Sequence, residues 1–149
     1  MKAVLQRVLS ATLKVDEKII SETGKGYVVF LGVGTGDTEE NADYFIKKIP
    51  GLRVFEDENG KINKSITDVK GEILLVSQFT LYANASHGNR PDFLSAMEPR
   101  RAEELYLYVA KGLKEKGICV KLGVFGADMK ISQVNDGPFT IMLDSEELF

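Results

Sequence analysis

The chain has 149 residues, of which 44% are hydrophobic and 28% charged, as is typical of one globular domain with its own core. Nineteen basic against 22 acidic side chains leave a formal net charge of −3, which argues against a large non-specific contact with phosphate. No apolar run approaches the ~18 residues that cross a bilayer, and residues 1–7 lack the core of a signal peptide. We therefore expect no membrane partner and a cytoplasmic location.

The first part of the chain predicts strands. Residues 2–9 are predicted to form one strand. The runs 12–15 and 18–22 flank two acidic residues and predict a hairpin. The run 26–33 is nearly continuous in apolar residues, and its length and β-branched content favour a strand buried on both faces.

A helix is predicted next, after a glycine-rich break. Asp37 is expected to cap it, because Glu40 stands three residues later, at the spacing of a capping box. The helix ends at Pro50-Gly51, and a strand over 52–55 and a turn at 58–60 are expected to follow. The predicted buried stripe of the helix is Ala42, Phe45, Ile46 and Ile49.

The second half of the chain predicts further strands and one more helix. The run 72–79 lacks polar alternation in its apolar part, so we expect it at the centre of the sheet. A polar loop over 84–91 precedes a helix that begins near Pro99 and ends at Gly117. Its predicted buried stripe is Ala102, Leu105, Val109 and Leu113. The last predicted elements are strands over 118–122, 130–134 and 138–143, with a turn at 135–137.

Composition disfavours several kinds of chemistry. The one cysteine, Cys119, lies between apolar neighbours and is expected to be a small buried residue rather than a metal ligand. The one histidine, His87, lies in a Gly- and Asn-rich loop, which works against a positioned base in a Ser-His-Asp triad. No phosphate-binding glycine motif is present, and we expect no metal and no cofactor. Three basic groups are candidates for a local basic patch, although solvated helix faces are the favoured interpretation: Lys47-Lys48, Arg100-Arg101 and Lys111/Lys114/Lys116.

Two polar segments are the remaining candidates for function. Residues 77–82, Ser-Gln-Phe-Thr-Leu-Tyr, end the best strand, and a polar strand end either meets a pocket or caps its own backbone. Residues 135–140, Asn-Asp-Gly-Pro-Phe-Thr, are dense in turn residues, and chemistry alone predicts an ordinary trans-proline turn there. The order of the predicted elements indicates a single mixed α+β domain over residues 1–149.

These two segments resemble the signature motifs of D-aminoacyl-tRNA deacylases, which contain Ser-Gln-Phe-Thr-Leu and Asn-Asp-Gly-Pro followed by a threonine two residues later. The family usually has valine where this chain has Phe139. The resemblance extends over essentially the whole chain and includes Gln6-Arg7-Val8, Gly88-Asn89-Arg90-Pro91-Asp92-Phe93 and Phe125-Gly126-Ala127-Asp128-Met129. It implies a barrel-like, largely antiparallel sheet with two main helices, assembled as a homodimer.

The resemblance implies an RNA-binding hydrolase of translation quality control. Such an enzyme proofreads tRNA by cleaving the ester bond that joins a D-amino acid to the terminal ribose. Its catalytic residues would be Ser77, Gln78, Phe79 and Thr80, with the N–H groups of Phe79 and Thr80 on the oxyanion and the first two residues in positioning roles. Thr80 is either a nucleophile or a positioning group. Because no base is visible in the sequence, attack by water aided by the ribose 2′-hydroxyl is the favoured interpretation. Phe125 and Met129 would bind substrate.

The resemblance also implies a chiral filter. Gly137-Pro138 is expected to be a cis peptide that enters the active site of the partner subunit and clashes with an L side chain. Arg7 is a candidate brace for this loop, since a guanidinium donates to several carbonyls. A clash cannot reject glycine, so glycyl-tRNA, such as glycine mischarged on tRNA(Ala), is an expected substrate. Phe139 either repacks the dimer interface or narrows the pocket.

Two other functions stay open. A non-catalytic dimeric module of the same fold would bind RNA or DNA without cleaving it, although the negative net charge weighs against strong binding. A hydrolase of small esters or D-amino-acid derivatives would act without tRNA.

Overall fold

A computed structural model describes residues 1–148, which form an α+β domain, as predicted. Its strands are β1 Lys2–Val15, β2 Lys18–Thr23, β3 Gly26–Gly32, β4 Arg53–Glu56, β5 Ile62–Ser65, β6 Glu72–Ser77, β7 Cys119–Leu122 and β8 Lys130–Asp144. Its helices are α1 Glu39–Gly51 and α2 Pro99–Glu115, with short 3₁₀ helices at Phe79–Tyr82 and Ser145–Leu148. Within residues 1–148, no helix is both long enough and apolar enough to cross a membrane.

One mixed sheet forms the framework, with strand order β2-β1-β3-β6-β7 and with β8 paired to β1. β1 is antiparallel to β2, β3 and β8, whereas β3–β6 and β6–β7 are parallel pairs. The outer strands β2 and β7 approach each other, because Ser21 Oγ donates to the Leu122 carbonyl at 2.5 Å and Lys121 Nζ to the Glu22 carbonyl at 2.7 Å. The sheet is therefore nearly closed into a barrel, as the resemblance implied.

The central strands are buried on both faces. In β3, Tyr27 and Val29 belong to the main core beneath the two helices, whereas Val28 packs with Leu74 and Val76 on the opposite side. β6 lies between β3 and β7, so its predicted place inside the sheet is confirmed. The predicted helical stripes are also buried, namely Ala42, Phe45 and Ile49 in α1 and Ala102, Leu105, Val109 and Leu113 in α2, with Ile46 half-buried.

The first helix begins one residue later than predicted. Thr38 is its N-cap, and the Thr38 N–H donates to Asn41 Oδ1 at 2.9 Å. Asp37 is buried instead, because its carboxylate accepts a hydrogen bond from the Gly34 N–H at 2.6 Å and pairs with the Met1 α-ammonium at 2.9 Å. The prediction of Asp37 as the cap was wrong because a tertiary ion pair occupies its carboxylate.

The longest strands were each predicted as two pieces. β1 is continuous, and β8 is continuous where a turn was predicted at 135–137. The turn residues form a bulge instead. Gln6 pairs with Thr140 and Val8 pairs with Asn135, so two residue steps in β1 lie opposite five residue steps in β8. β5 pairs with β4 in a separate two-stranded sheet and was not predicted.

Cys119 is exposed, which contradicts the prediction of a buried residue. It begins β7, where Val120 is buried and Lys121 is exposed, so side chains alternate across the strand. β7 lies at the end of the strand order, and one face of it is open to solvent. The apolar side chains next to Cys119 in the sequence are therefore buried on the opposite face of the strand.

Candidate functional site

A cavity of about 260 Å³ lies where β3 and β6 end, beside α2. Five of the predicted site residues line it: Ser77, Gln78 and Phe79 from the end of β6, and Phe125 and Met129 from the loop before β8. Two motifs that are distant in sequence therefore line one cavity. A largely apolar cavity with few polar groups is typical of a small-molecule site.

The segment after β6 is held tightly against β3. The Gln78 N–H donates to the Leu31 carbonyl at 2.8 Å, which continues the parallel β3–β6 pairing by one residue. The chain then turns into the 3₁₀ helix Phe79–Tyr82. This approach requires Gly32, since a Cβ at that position would lie 2.9 Å from the Gln78 carbonyl oxygen.

The turn into the 3₁₀ helix leaves two amide groups free. In such a helix each N–H bonds to the carbonyl three residues earlier, and here the first such bond runs from Leu81 N–H to the Gln78 carbonyl at 3.3 Å. Within the described part of the chain, the N–H groups of Phe79 and Thr80 have no acceptor. Adjacent free donors of this kind are able to stabilise a developing oxyanion.

The side chains of this segment differ in their surroundings. Phe79 is 56% exposed and packs against the ring of Phe93 in an edge-to-face pair, with centroids 5.0 Å apart. Thr80 is exposed and does not line the cavity, and its Oγ1 accepts a hydrogen bond from Gln78 Nε2. His87 lies in the exposed loop that follows. No acid–base side chain is therefore hydrogen-bonded to Thr80 among the described residues.

Tyr106 also lines the cavity, although the sequence did not indicate it as a site residue. It is buried in α2, its hydroxyl donates to the Leu75 carbonyl at 2.7 Å, and its ring centroid lies 5.9 Å from that of Phe125. Burial raises the pKa of Tyr106 well above its usual range, so it stays a neutral donor. Its position beside the apolar stripe of α2 was the available signal, but that pattern indicates only a core residue.

The remaining wall of the cavity is mostly apolar or small. It consists of Leu31, Val33, Val76, Ala102, Gly126, Ala127, Asp128 and Ile131. Across residues 1–148, no group of three or more His, Cys, Asp or Glu side chains is placed to hold a metal ion.

The residues predicted as the chiral filter lie elsewhere in the same chain. Gly137 and Pro138 are exposed within the bulge of β8 and do not line the cavity. Their peptide bond is cis, so the trans turn that chemistry alone predicts is absent. One chain therefore does not bring this pair together with Ser77–Thr80.

Arg7 contacts the bulge from β1. It is only 7% exposed, and its Nε donates to the Asp136 carbonyl at 3.1 Å and lies 3.4 Å from Asp136 Oδ2. Its Nη1 donates to the Val54 carbonyl at 2.6 Å. Burial raises the pKa of the neighbouring Tyr27, and the positive charge of Arg7 partly opposes that rise. The guanidinium therefore connects β1, β4 and the bulge.

The chain is similar to several known proteins. A sequence model described as D-Tyr-tRNA(Tyr) deacylase matches residues 4–144. The D-aminoacyl-tRNA deacylase of Persephonella marina is 53% identical over 148 residues, and that of Aquifex aeolicus is 51% identical over 148 residues, each alignment covering 99% of this chain and 100% of the relative. The D-aminoacyl-tRNA deacylase of Syntrophomonas wolfei is 49% identical over 149 residues, with 100% of both chains covered.

Two solved structures are also similar. A protein described as a c-Myc DNA Unwinding Element Binding Protein is 44% identical, with a TM-score of 0.91 over 97% of this chain and 98% of that one. A probable eukaryotic D-amino acid tRNA deacylase is 18% identical, with a TM-score of 0.81 over 95% and 97% of the two chains. The second likeness shows the fold alone.

Proposed function

The chain belongs to the D-Tyr-tRNA(Tyr) deacylase family, and from that premise we propose how its residues select and cleave the substrate. It is a hydrolase that acts on the ester bond of D-aminoacyl-tRNA. We place the ester carbonyl at the rim of the cavity, beside the turn that follows β6, and the two free N–H groups of Phe79 and Thr80 are the observation that carries this placement. The enzyme works in the cytoplasm, where tRNA is charged.

The proposed reaction is stabilised by the main chain. A water oxygen attacks the ester carbonyl carbon, and the negative charge that develops on the carbonyl oxygen faces the N–H groups of Phe79 and Thr80. Each donor of this kind contributes roughly 3–4 kcal/mol to stabilising the transition state. The ester C–O bond then breaks, the ribose oxygen takes a proton, and the D-amino acid leaves as its carboxylate. Ser77 and Gln78 position the reacting groups.

A hydroxyl nucleophile is the less favoured mechanism. Thr80 would need a base to remove its proton, and its hydroxyl contacts the neutral amide of Gln78 instead. We assign the activation of water to the substrate, whose ribose 2′-hydroxyl lies next to the ester. A 2′-deoxy substrate is therefore expected to be cleaved much more slowly than the natural one.

We propose that Gly137 and Pro138 form the chiral filter of a symmetric dimer. Both residues are exposed and lie outside the cavity of their own chain, so contact with substrate requires a second subunit. Proline fixes the backbone and glycine leaves room for the substrate, so an L side chain meets main-chain atoms that do not yield. Glycine has no side chain to clash, and glycyl-tRNA, including glycine mischarged on tRNA(Ala), is therefore an expected substrate.

The proposal is tested by deacylation of D- and L-tyrosyl-tRNA in parallel, with glycyl-tRNA as a third substrate. The wild-type chain is expected to cleave the D form and glycyl-tRNA and to leave the L form intact. The substitution Pro138→Ala is expected to weaken the rejection of the L form or the activity itself. Complete inertness toward glycyl-tRNA beside rapid cleavage of the D form would refute a filter that works by clash alone.

The shared site makes activity depend on assembly. Dilution below the dissociation constant of the dimer is expected to lower the rate per chain, and sedimentation velocity at the same concentrations reports the fraction of dimer. A monomer that keeps the full rate would rule out the shared site.

Nucleic-acid binding without cleavage is the second candidate, because a structure that is 44% identical is described as a DNA-binding protein. It predicts that the labelled ester of D-tyrosyl-tRNA stays intact after long incubation while a complex forms. A hydrolase of small esters instead predicts equal rates on a free D-aminoacyl ester and on D-aminoacyl-tRNA.

A further inference from the structure

Phe139 lies directly against the guanidinium of Arg7. The centre of its ring is 4.9 Å from the Arg7 Cζ, within the distance at which a cation is attracted to an aromatic face. We propose that Phe139 is a positioning residue, which fixes Gly137-Pro138 from one side through Arg7 while Asp136 fixes it from the other. This inference rests on the proposed function, in which Gly137-Pro138 contacts the substrate.

The two anchors act on one group. Asp136 precedes the Gly137-Pro138 pair and binds Arg7 through its carbonyl at 3.1 Å, with its carboxylate at 3.4 Å. Phe139 follows the pair and covers Arg7 with its ring. A short segment whose two flanking residues hold the same buried cation has little freedom to shift. The position of the pair is therefore set by Arg7 at both ends.

Burial of Arg7 makes the aromatic contact effective. The guanidinium is 7% exposed, and two carbonyls, of Val54 and Asp136, accept its in-plane hydrogen bonds. The guanidinium face remains for the Phe139 ring. Cation–π attraction is stronger where water is excluded, so the burial of Arg7 strengthens this contact.

The backbone of the bulge is closely packed around this contact. Gly137 has a φ of +132°, and a Cβ there would lie 2.8 Å from the Phe139 nitrogen and 3.4 Å from Arg7 Nη2. A side chain at residue 137 would therefore collide with the backbone of Phe139, so the bulge has space only for glycine there. Valine, the usual residue of the family at position 139, fills space but has no ring to place over Arg7.

A simpler reading gives Phe139 no role beyond filling space, since it also packs against the main core. Substitutions separate the two readings. Tyr retains the ring face, Leu retains apolar bulk without a ring, and Val restores the usual family residue. The measured quantity is the ratio of kcat/KM for D-tyrosyl-tRNA to that for L-tyrosyl-tRNA, with the L form incubated long enough at excess enzyme for its residual cleavage to be measured above the spontaneous hydrolysis.

We expect Phe139→Tyr to keep the wild-type ratio and Phe139→Leu and Phe139→Val to lower it by roughly 2- to 30-fold. Urea unfolding of each variant shows that the chain is folded under the assay conditions. If Leu, Val and Tyr all keep the wild-type ratio, Phe139 only fills space and the inference is wrong.

A second measurement is independent of activity. The NMR signal of the Arg7 Nε–H is expected to carry an upfield ring-current shift and to exchange slowly with solvent. Phe139→Tyr is expected to preserve both properties, and Phe139→Leu to remove the shift and accelerate exchange. If the wild type fails to distinguish D from L substrates, the proposed function falls while this measurement still decides whether Phe139 holds Arg7. An Nε–H signal that is unchanged in Phe139→Leu would overturn the contact.

Discussion

Replacing Thr80 with alanine is expected to lower kcat by no more than about tenfold. The Thr80 hydroxyl is exposed, and its hydrogen bond to Gln78 Nε2 is its one contact to a polar group among the described residues. Losing one neutral hydrogen bond costs about 0.5–1.5 kcal/mol, and each 1.4 kcal/mol changes a rate about tenfold. The main-chain N–H donors of Phe79 and Thr80 survive the substitution.

A nucleophilic Thr80 predicts a very different result. Removing the nucleophile of a serine protease lowers kcat on the order of 10⁶-fold, because no other group replaces the covalent step. The two mechanisms therefore predict values of kcat for Thr80→Ala that differ by several orders of magnitude.

Single-turnover deacylation of end-labelled D-tyrosyl-tRNA, with enzyme in excess, measures the chemical step directly. Thr80→Ser tests whether a hydroxyl alone restores any lost rate, and Thr67→Ala, at an exposed loop threonine, is the matched control. A loss of more than about 10³-fold in Thr80→Ala, with the rate restored in Thr80→Ser, would refute the main-chain mechanism.

Three further changes test the fold and the site. Gly112→Ala places a Cβ against the Ile46 side chain where the helices meet, so the chain is expected to become less stable: overpacking costs about 1–3 kcal/mol and the gain in helix propensity is ~1 kcal/mol. Gly51→Ala, with no atom within 4 Å of the new Cβ, is the control, and equal stability of both variants in urea would contradict the overpacking. His87→Ala is expected to leave deacylation unchanged, and a loss on the order of 10²-fold, the usual contribution of a general base, would assign His87 to the chemistry. The Cys119 thiol is expected to react with DTNB in the native chain, and protection until unfolding would show that it is covered.

The elements that the sequence predicted well are those in which local pattern and tertiary environment agree. β3 and β6 are continuous apolar runs and lie in the middle of the sheet, buried on both sides. α2 follows a helical period from a proline at its first position to a glycine after its end. In these segments the pattern of apolar residues within the segment itself is enough to predict which side chains are buried.

The wrong predictions share a different cause, since contacts distant in sequence decided them. Asp37 is drawn away from the helix start by a buried ion pair with the Met1 α-ammonium. The turn signal at 135–137 is overridden because β1 pairs with β8 on both sides of it. Cys119 has apolar neighbours that face the core while it faces solvent. Local composition contains none of this information.

The site was only partly accessible from residue chemistry. The polar end of β6 indicated a pocket or a capped strand, and the cavity there matches the first alternative. The resemblance supplied Phe125 and Met129, which line the same cavity. Tyr106 remained hidden because a tyrosine on the buried face of a helix has the same sequence pattern as any core residue.

The surplus residues of β8 also determine how the two longest strands align. Long antiparallel partners are able to slide, and a slip of one residue would turn every side chain to the other face of the sheet. Here the surplus lies opposite Arg7, the one position between the paired Gln6 and Val8. A slipped alignment would separate Arg7 from the Asp136 carbonyl and the Phe139 ring that it contacts in the bulge. The segment proposed to sort substrates therefore also sets which side chains of the barrel wall point inward.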